Sequence, residues 1–255
     1  MSSLDSHPLV AAATALARDH HSRYDPSHDF HHVQRVLRLA VSIANSLNSS
    51  LSSSSSPSPP VDLLVVTLSA LTHDLLDAKY LPAGAPSDAR SLLEKKLWLR
   101  FPNEEDISEE QKRLVEKVIE NVSYSKEKKR RAAGEETEWH RTSRELHCVQ
   151  DADKLDAIGA FGIMRCSAYS AITSRPLYLR PQAATATSGP TSPATATTTA
   201  TATTDDSAIG HFHDKLFKLE GLMKTSRGKE LARRRTEFLR AFVQEVEREW
   251  EEGEI

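Results

Sequence analysis

The chain has 255 residues, of which 38% are hydrophobic and 27% are charged, and its formal net charge is −3. This composition is typical of a soluble globular protein with one large domain or two small ones. The negative charge argues against a general nucleic-acid binder, which carries a basic excess. With Cys148 and Cys166 as the only cysteines, a disulfide framework and a cysteine-rich zinc site are both excluded, so a reducing cytoplasmic compartment is expected.

No targeting or membrane segment is predicted. Residues 1–22 lack the basic leading region and the long apolar run of a secretory signal. The most apolar stretch, residues 61–80, contains acidic side chains and a histidine, which are costly in lipid. The basic run "KEKKRR" at 126–131 is interpreted as a solvated face, and a nuclear-localisation signal is its weaker alternative.

Two low-complexity segments, residues 49–60 and 184–207, consist mainly of Ser, Thr, Ala and Pro. They have almost nothing to bury, so we predict disordered insertions in a single domain that spans residues 1–255. Its core is expected at about 8–180, followed by C-terminal helices at 211–252. The alternative is that the second segment links two domains, but the chain after it is short for an independent domain.

Helical periodicity dominates the rest of the chain, and no strand-like alternation or hairpin turn occurs. The predicted class is therefore all-α. In chain order, the predicted helices are Leu9–Arg18, Pro26 or Ser27 to Leu47, Val61–Asp77, Ser108–Tyr124, Arg144–Ser174, Phe212–Gly221 and Gly228–Glu252. The third helix is apolar on nearly every side, so we expect it at the centre of a helical bundle.

The end of this central helix, "THDLLD", poses a physical problem. It places His73, Asp74 and Asp77 in or against the core, where an unpaired carboxylate is strongly destabilising. A divalent metal would compensate them, because an adjacent His and Asp at a helix end reach one ion. For this dipeptide alone, a hydrogen-bonded His–Asp pair is the alternative.

Two further segments carry residues of the same type. In "SHDFHHVQRV" at 27–36, His32 borders the apolar stripe of the second helix, and His28 and Arg35 lie on the same flank. In "VQDADKLDAIGAFGIMRC" at 149–166, a run of acids leads into a small-residue stretch that permits close helix packing: Asp151, Asp153 and Asp156. An acidic cluster at a helix N-terminus would explain only the first of these acids.

Together with "HDKLFKLEGLMKTSRGKELARRR" at 213–235, these segments resemble the HD-domain metal-dependent phosphohydrolases. They are similar in particular to the YpgQ/YedJ-like small HD hydrolases of bacteria and fungi, some of which are nucleoside triphosphate pyrophosphohydrolases. The resemblance covers most of residues 8–252 outside the two low-complexity segments. It implies an HD-domain helical bundle.

The resemblance also implies a metal site with the ligands His32, His73, Asp74 and Asp153. Four ligands leave open positions on a six-coordinate ion for water and a phosphate oxygen. We expect one divalent ion, with Mn preferred over Mg, Co, Ni, Fe or Zn. The remaining histidines of the second half lie outside recognisable ligand contexts, which argues against a second metal: His140, His147, His211 and His213.

Asp77 and Asp74 are the predicted catalytic residues. The resemblance implies that Asp77 orients or deprotonates the attacking water, while a surface carboxylate paired with Lys79 is the alternative. His28 is assigned to the orientation of His32 or to a phosphate contact. Positive charge is needed to bind phosphate. The resemblance points to Arg35, Lys79, Lys154, Lys215 and Lys218, which with His28 are the predicted substrate contacts. Several of these lysines are equally compatible with surface positions.

The expected function is metal-dependent hydrolysis of a nucleotide, with release of pyrophosphate from nucleoside or deoxynucleoside triphosphates. Two alternatives stay open: a nucleoside monophosphate phosphatase, and a nucleotide-sensing HD module without turnover. The expected partner is a small phosphorylated molecule, without membrane or nucleic acid. A homodimer is compatible with the sequence.

Overall fold

A computed structural model describes residues 6–51, 59–76, 88–103, 105–180 and 205–253. Within these ranges the chain forms α-helices joined by turns and short 3-10 helices, and no strand. This confirms the all-α prediction. The helices are α1 (Pro8–His21), α2 (Phe30–Leu51), α3 (Leu63–Thr72), α4 (Ala89–Lys96), α5 (Glu109–Asn121), α6 (Tyr124–Ala133), α7 (Glu138–Thr142), α8 (Arg144–Asp156), α9 (Gly159–Ile172), α10 (Ala208–Asp214) and α11 (Ser226–Glu252).

Helix α3 lies at the centre, as its sequence predicts. Its residues from Val65 to Thr72 are all buried, because α1, α2, α5 and α8 pack around it. The Asp62 carboxylate begins the helix by accepting the backbone N–H groups of Leu64 and Val65. The helix ends at Thr72, five residues earlier than predicted, and a turn follows it. The predicted end at Asp77 lies outside the described residues.

Helices α2 and α3 separate two clusters of buried apolar side chains. One cluster includes Leu9 of α1, Leu68 of α3 and Leu93 of α4. The other includes Ile43 of α2 and Phe212 of α10, together with side chains of α8 and α11. Each of the two separating helices contributes to both clusters, so the histidines at their ends lie between two packed cores and have little freedom to move.

The predicted continuous helix over 144–174 is wrong, because the chain breaks between α8 and α9. Gly159 has a φ of 77°, in the left-handed region that favours glycine. A Cβ at Gly162 would lie 2.4 Å from the carbonyl oxygen of Ala157, so only glycine allows this turn to close. The small residues of this stretch therefore form a tight corner, and α8 ends at Asp156.

Asp151 has a different role from the one that its position suggested. It lies in the middle of α8, and its carboxylate accepts the backbone N–H groups of Lys224 and Thr225 at the start of α11. The carboxylate also accepts a hydrogen bond from the Thr225 hydroxyl at 2.8 Å. Asp151 thus stabilises the N-terminus of another helix, in keeping with the preference of anions for that end.

Several boundaries differ from the predicted ones. Helix α2 continues to Leu51, so the start of the segment 49–60 is helical, and most of both low-complexity segments lies outside the described residues. Three helices were not predicted: α4, α6 and α7. The basic run 126–131 belongs to α6, where Glu127 is buried rather than solvated. No helix in the described ranges has the length and apolar character required to cross a membrane.

Candidate metal centre

The two predicted histidine ligands come from the ends of the central helices. His32 lies in the first turn of α2, and His73 directly follows α3. Both are buried, with 1% and 3% relative exposure. The Asp74 and Asp153 carboxylates approach from the open side, with 20% and 27% of their side-chain surface exposed. The cluster therefore has a closed histidine side and an open carboxylate side.

The structure brings these four side chains together. The Nε2 atoms of His32 and His73 are 3.2 Å apart. Asp74 Oδ2 lies 3.4 and 3.2 Å from these two nitrogens, and Asp153 Oδ1 lies 3.6 and 3.8 Å from them. One atom each of His32, His73 and Asp74 lies within 4.8 Å of the others, a spacing that one metal ion can bridge.

The Nδ1 atom of each histidine ring is held by a hydrogen-bond acceptor outside the cluster. His32 Nδ1 lies 2.8 Å from Asp156 Oδ2, and His73 Nδ1 lies 2.9 Å from the carbonyl oxygen of Ala70. Because both partners are acceptors, each Nδ1 carries a proton, and each Nε2 atom points into the cluster, where its lone pair can bind a cation once that nitrogen is deprotonated. Two imidazoles and two carboxylates then converge as acceptors, and this donor set fits a divalent cation.

The charges within the cluster also favour a bound cation. Burial lowers the pKa of His73, but the Asp74 and Asp153 carboxylates outweigh it and raise this pKa to about 9. Burial raises the pKa of Asp74, but His73 and His32 outweigh it and hold this pKa well below the ordinary range. The carboxylates thus favour positive charge at this point, which a proton or a metal ion supplies.

Asp156 is a functional residue that the sequence did not assign. It is 1% exposed, bonds His32 Nδ1, and also accepts from Arg35 Nε at 2.7 Å and from Arg165 at 3.1 Å. Burial raises its pKa, but the hydrogen bonds from His32 and Arg35 outweigh this effect, so the pKa lies well below the ordinary value. A carboxylate behind a ligating histidine orients the ring and raises its basicity. The sequence offered one indication of this role: Asp156 lies three residues after Asp153, so the two side chains are neighbours on one helix.

A cavity of about 410 Å³ opens beside the cluster. One part of its wall is the acceptor cluster, and another part is cationic, formed by Lys126, Lys154, Arg165 and Lys215. The loop before α6 and its first residues, which include Tyr124, complete this wall. The acceptor cluster and the positive side chains therefore face the same cavity.

The buried cation Lys154 is held in place by Glu127. Lys154 Nζ lies 2.7 Å from Glu127 Oε2, and both side chains are 2% exposed. The other oxygen of Glu127 accepts from Lys224, whose ammonium also bonds Gln150. Two ammonium groups thus share one buried carboxylate. This arrangement holds the ammonium group of Lys154 in the cavity wall, next to Asp153 in sequence.

A comparison with known families identifies the chain. The family model of the HD domain matches residues 29–158, which is half of the sequence and includes all four clustered side chains. The chain belongs to the HD-domain family. The family is one of metal-dependent phosphohydrolases, which confirms the expected enzyme class. HD domains bind divalent metal ions, in agreement with the donor set of the cluster.

Individual HD proteins resemble the chain over most of its length. It is 28% identical to YpgQ of Bacillus subtilis over 222 residues, 87% of this chain and 84% of YpgQ. The crystal structure of Bacillus subtilis YpgQ in complex with ADP has 27% identity and a TM-score of 0.63, and covers 94% of this chain and 97% of that one. A Lactobacillus plantarum structure has 26% identity and a TM-score of 0.65, with 98% of both chains covered.

The predicted substrate contacts and the predicted catalytic residue Asp77 separate into residues in the cavity wall, residues outside it and residues outside the described ranges. His28, Lys154 and Lys215 line the cavity. Arg35 is not among the wall residues of the cavity, and its guanidinium bonds the carboxylate of Asp156. Lys218 is exposed outside the cavity wall, and Asp77 and Lys79 lie outside the described residues.

His28 lies beside His32 in the cavity wall. Its Nδ1 atom is 2.7 Å from Ser27 Oγ, and its ring is edge-on to that of His32 at 6.3 Å between centroids. Burial and the neighbouring Arg165 lower the pKa of His28 to about 4, so its imidazole is neutral near pH 7. A neutral ring offers a hydrogen bond to a ligand without adding charge.

Proposed function

We propose that this HD-domain protein hydrolyses nucleotides and releases pyrophosphate from nucleoside or deoxynucleoside triphosphates. The proposal depends on one observation. Four side chains that can bind a metal ion and four cationic side chains line the same cavity. Phosphoryl transfer depends on this combination, because the protein has to neutralise the phosphate oxygens and position the attacking group.

The known relative supports a nucleotide rather than another phosphorylated molecule. Bacillus subtilis YpgQ has been crystallised in complex with ADP, and its structure covers almost the whole of this chain. A small nucleotide partner follows by similarity. We also propose a cytoplasmic protein that needs neither membrane nor nucleic acid, and a homodimer remains compatible with it.

We assign the metal-binding role to His32, His73, Asp74 and Asp153, with one divalent ion and Mn preferred. When bound, such an ion supplies Lewis acidity toward a phosphate oxygen and makes a water more acidic. The chain supplies the remaining functions. Asp156 holds the ring of His32, and Lys154 binds a phosphate oxygen from its place on Glu127.

Other residues complete this assignment. Lys215 and Arg165 add charge-assisted contacts along the cavity wall. Asp77, three residues after Asp74, is proposed to orient the water as a general base, with Asp74 as the second catalytic carboxylate. His28 is proposed to donate a hydrogen bond to a phosphate oxygen.

The test is a panel of nucleoside tri-, di- and monophosphates offered to the Mn-loaded protein, with pyrophosphate and orthophosphate measured separately. We expect pyrophosphate from triphosphates. Asp74→Asn should lower kcat/KM by about a thousandfold or more, because loss of the bound ion removes several kcal/mol of transition-state stabilisation. Asp106→Asn, in a turn outside the cavity wall, is the matched control.

The other outcomes would contradict the proposal in distinct ways. Orthophosphate released from monophosphates would favour a nucleoside monophosphate phosphatase. Metal-dependent nucleotide binding without any product would favour a sensing module. If all four clustered residues could be replaced without loss of bound metal, the site assignment itself would be wrong.

A further inference from the structure

A second, smaller chamber adjoins the metal cavity. Its volume is about 280 Å³, and it shares four wall residues with the main cavity: His28, Ala157, Arg165 and Lys215. Its own wall comes from α9, from the turn after it and from α10, with Tyr169, Arg175 and His211 as the main polar side chains. Because the two spaces share a wall, one elongated ligand is able to occupy both.

The side chamber differs from the main cavity in charge. Two guanidinium groups and one ammonium line it, from Arg165, Arg175 and Lys215, and its described wall contains no carboxylate. The carboxylates that compensate the two arginines lie outside that wall. Asp156 binds Arg165 at 3.1 Å, and the 75% exposed Asp206 lies 3.4 Å from Arg175. The chamber therefore attracts anions.

The backbone after α9 directs Arg175 into this wall. Among the described residues, Ser174 is the only non-glycine with a positive φ, at 55°. This left-handed residue lets the Arg175 N–H bond the carbonyl oxygen of Ser170 at 2.8 Å, so the chain turns back on α9. The guanidinium then lies 5.6 Å from the centre of the Tyr169 ring.

We propose that the side chamber binds the two terminal phosphates of a nucleoside triphosphate while the α-phosphate lies at the four-residue metal cluster. This inference rests on the proposed function. In the reaction, a water oxygen forms a bond to the α-phosphorus and the α–β P–O bond breaks. The bonding electrons leave with the bridging oxygen on pyrophosphate, and one proton is released.

Charge and geometry favour phosphates over the nucleobase as occupants. Guanidinium groups match phosphate oxygens in a bidentate fashion, and such charge-assisted bonds are the stronger ones. One face of Tyr169 is already covered by Arg175, which limits stacking of a base there. The Asp206 contact with Arg175 is exposed, and exposed ion pairs are weak enough for a phosphate to compete.

The test measures binding rather than turnover. Inorganic pyrophosphate and AMP are titrated calorimetrically into the Mn-loaded full chain. Arg175→Gln should weaken pyrophosphate binding by about tenfold, because it removes a charge-assisted contact. AMP binding should stay as in the wild type. Arg38→Gln, which replaces an exposed arginine of α2, is the matched control.

A second variant is expected to strengthen pyrophosphate binding instead of weakening it. Asp206→Ala removes the exposed partner of Arg175 and should strengthen pyrophosphate binding by about two- to threefold, an effect that misfolding cannot produce. The proposal is overturned if Arg175→Gln leaves pyrophosphate affinity unchanged, or if it weakens AMP and spares pyrophosphate.

The two proposals fail separately. If the wild-type protein hydrolyses no nucleotide and Arg175→Gln still weakens pyrophosphate binding, the proposed function is wrong and the phosphate chamber stands. If pyrophosphate is released from triphosphates and Arg175→Gln binds pyrophosphate as the wild type does, the chamber assignment alone is wrong.

Discussion

The two halves of the cavity wall are built in different ways. The metal half comes from the central helices α2, α3 and α8, and its histidine rings are fixed from behind by Asp156 and by the carbonyl oxygen of Ala70. The cationic half comes from the surrounding helices α6 and α9, from Lys215 directly after α10 and from Lys154 of α8. Metal ligands need exact placement, whereas phosphate oxygens accept donors from several directions.

Glu127 joins α6 of the cationic half to α8, the helix that also carries Asp153 of the metal half, and to Lys224 before α11. Glu127→Gln leaves the buried ammonium of Lys154 without its counter-charge. Breaking a buried ion pair from one side is strongly destabilising, so we expect a loss of about 3 kcal/mol in the free energy of unfolding. Chemical denaturation at pH 7 measures it.

The matched control is Glu237→Gln on α11. Glu237 is 62% exposed and pairs with Arg233 at 3.2 Å, so its loss should cost less than about 0.5 kcal/mol. If the two substitutions lower the free energy of unfolding by the same amount, the buried Glu127 pair is no stronger than an exposed one. Glu127 would then not hold α6 against α8.

The same group predicts a pH dependence of stability. Burial raises the pKa of Glu127, but Lys154 and Lys224 outweigh it and hold this pKa below its ordinary value of 4.5. The stabilisation is therefore full above pH 4.5 and is lost as the pH falls through the lower folded-state pKa. The stability difference between wild type and Glu127→Gln should shrink over that acidic range, and a difference independent of pH would contradict the ionic pair.

Asp156 tests the metal half of the comparison. Asp156→Asn weakens the support of His32 Nδ1 and removes the charge that holds Arg35 and Arg165. Partners of this kind are worth about 10- to 100-fold in metal affinity, and we expect a decrease of that size for Mn. Calorimetric Mn titration of the purified variant measures it.

A neighbour on the same helix provides the control for Asp156. Asp151 is equally buried, but its carboxylate caps α11 instead of contacting His32. Asp151→Asn should therefore lower the free energy of unfolding while the folded protein retains its Mn affinity. If both variants lose Mn affinity equally, the effect is general destabilisation and not the orientation of His32.

The four residues of the metal half were assigned through the resemblance to the HD-domain phosphohydrolases, which joined local signals that are weak when taken singly. A His–Asp pair at the end of an apolar helix is one such signal, and the structure places it beside His32 and Asp153. Asp156 was not assigned because its role follows from a contact with a residue distant in sequence: Arg35 lies 121 residues away. The break after α8 was missed because small residues indicate close packing without indicating a turn.

The cationic half was harder to predict because a lysine on a helix gives no sign of the side that it faces. Lys215 and Lys218 lie three residues apart, and both were predicted substrate contacts. In the structure, Lys215 lines both chambers and its Nζ lies 5.1 Å from the centre of the Tyr124 ring, whereas Lys218 is exposed outside both. Which of the two faces the cavity depends on how α10 and the turn after it pack.

These two lysines give the smallest expected effect and the sharpest test of the cationic wall. Lys215→Ala should raise the KM for a triphosphate by about tenfold, since a charge-assisted phosphate contact is lost, and should leave Mn affinity unchanged. Lys218→Ala should stay within about twofold of the wild type, as surface substitutions do. Steady-state kinetics on both variants decides between them. Equal values would mean that general surface charge, rather than the cavity wall, attracts the substrate.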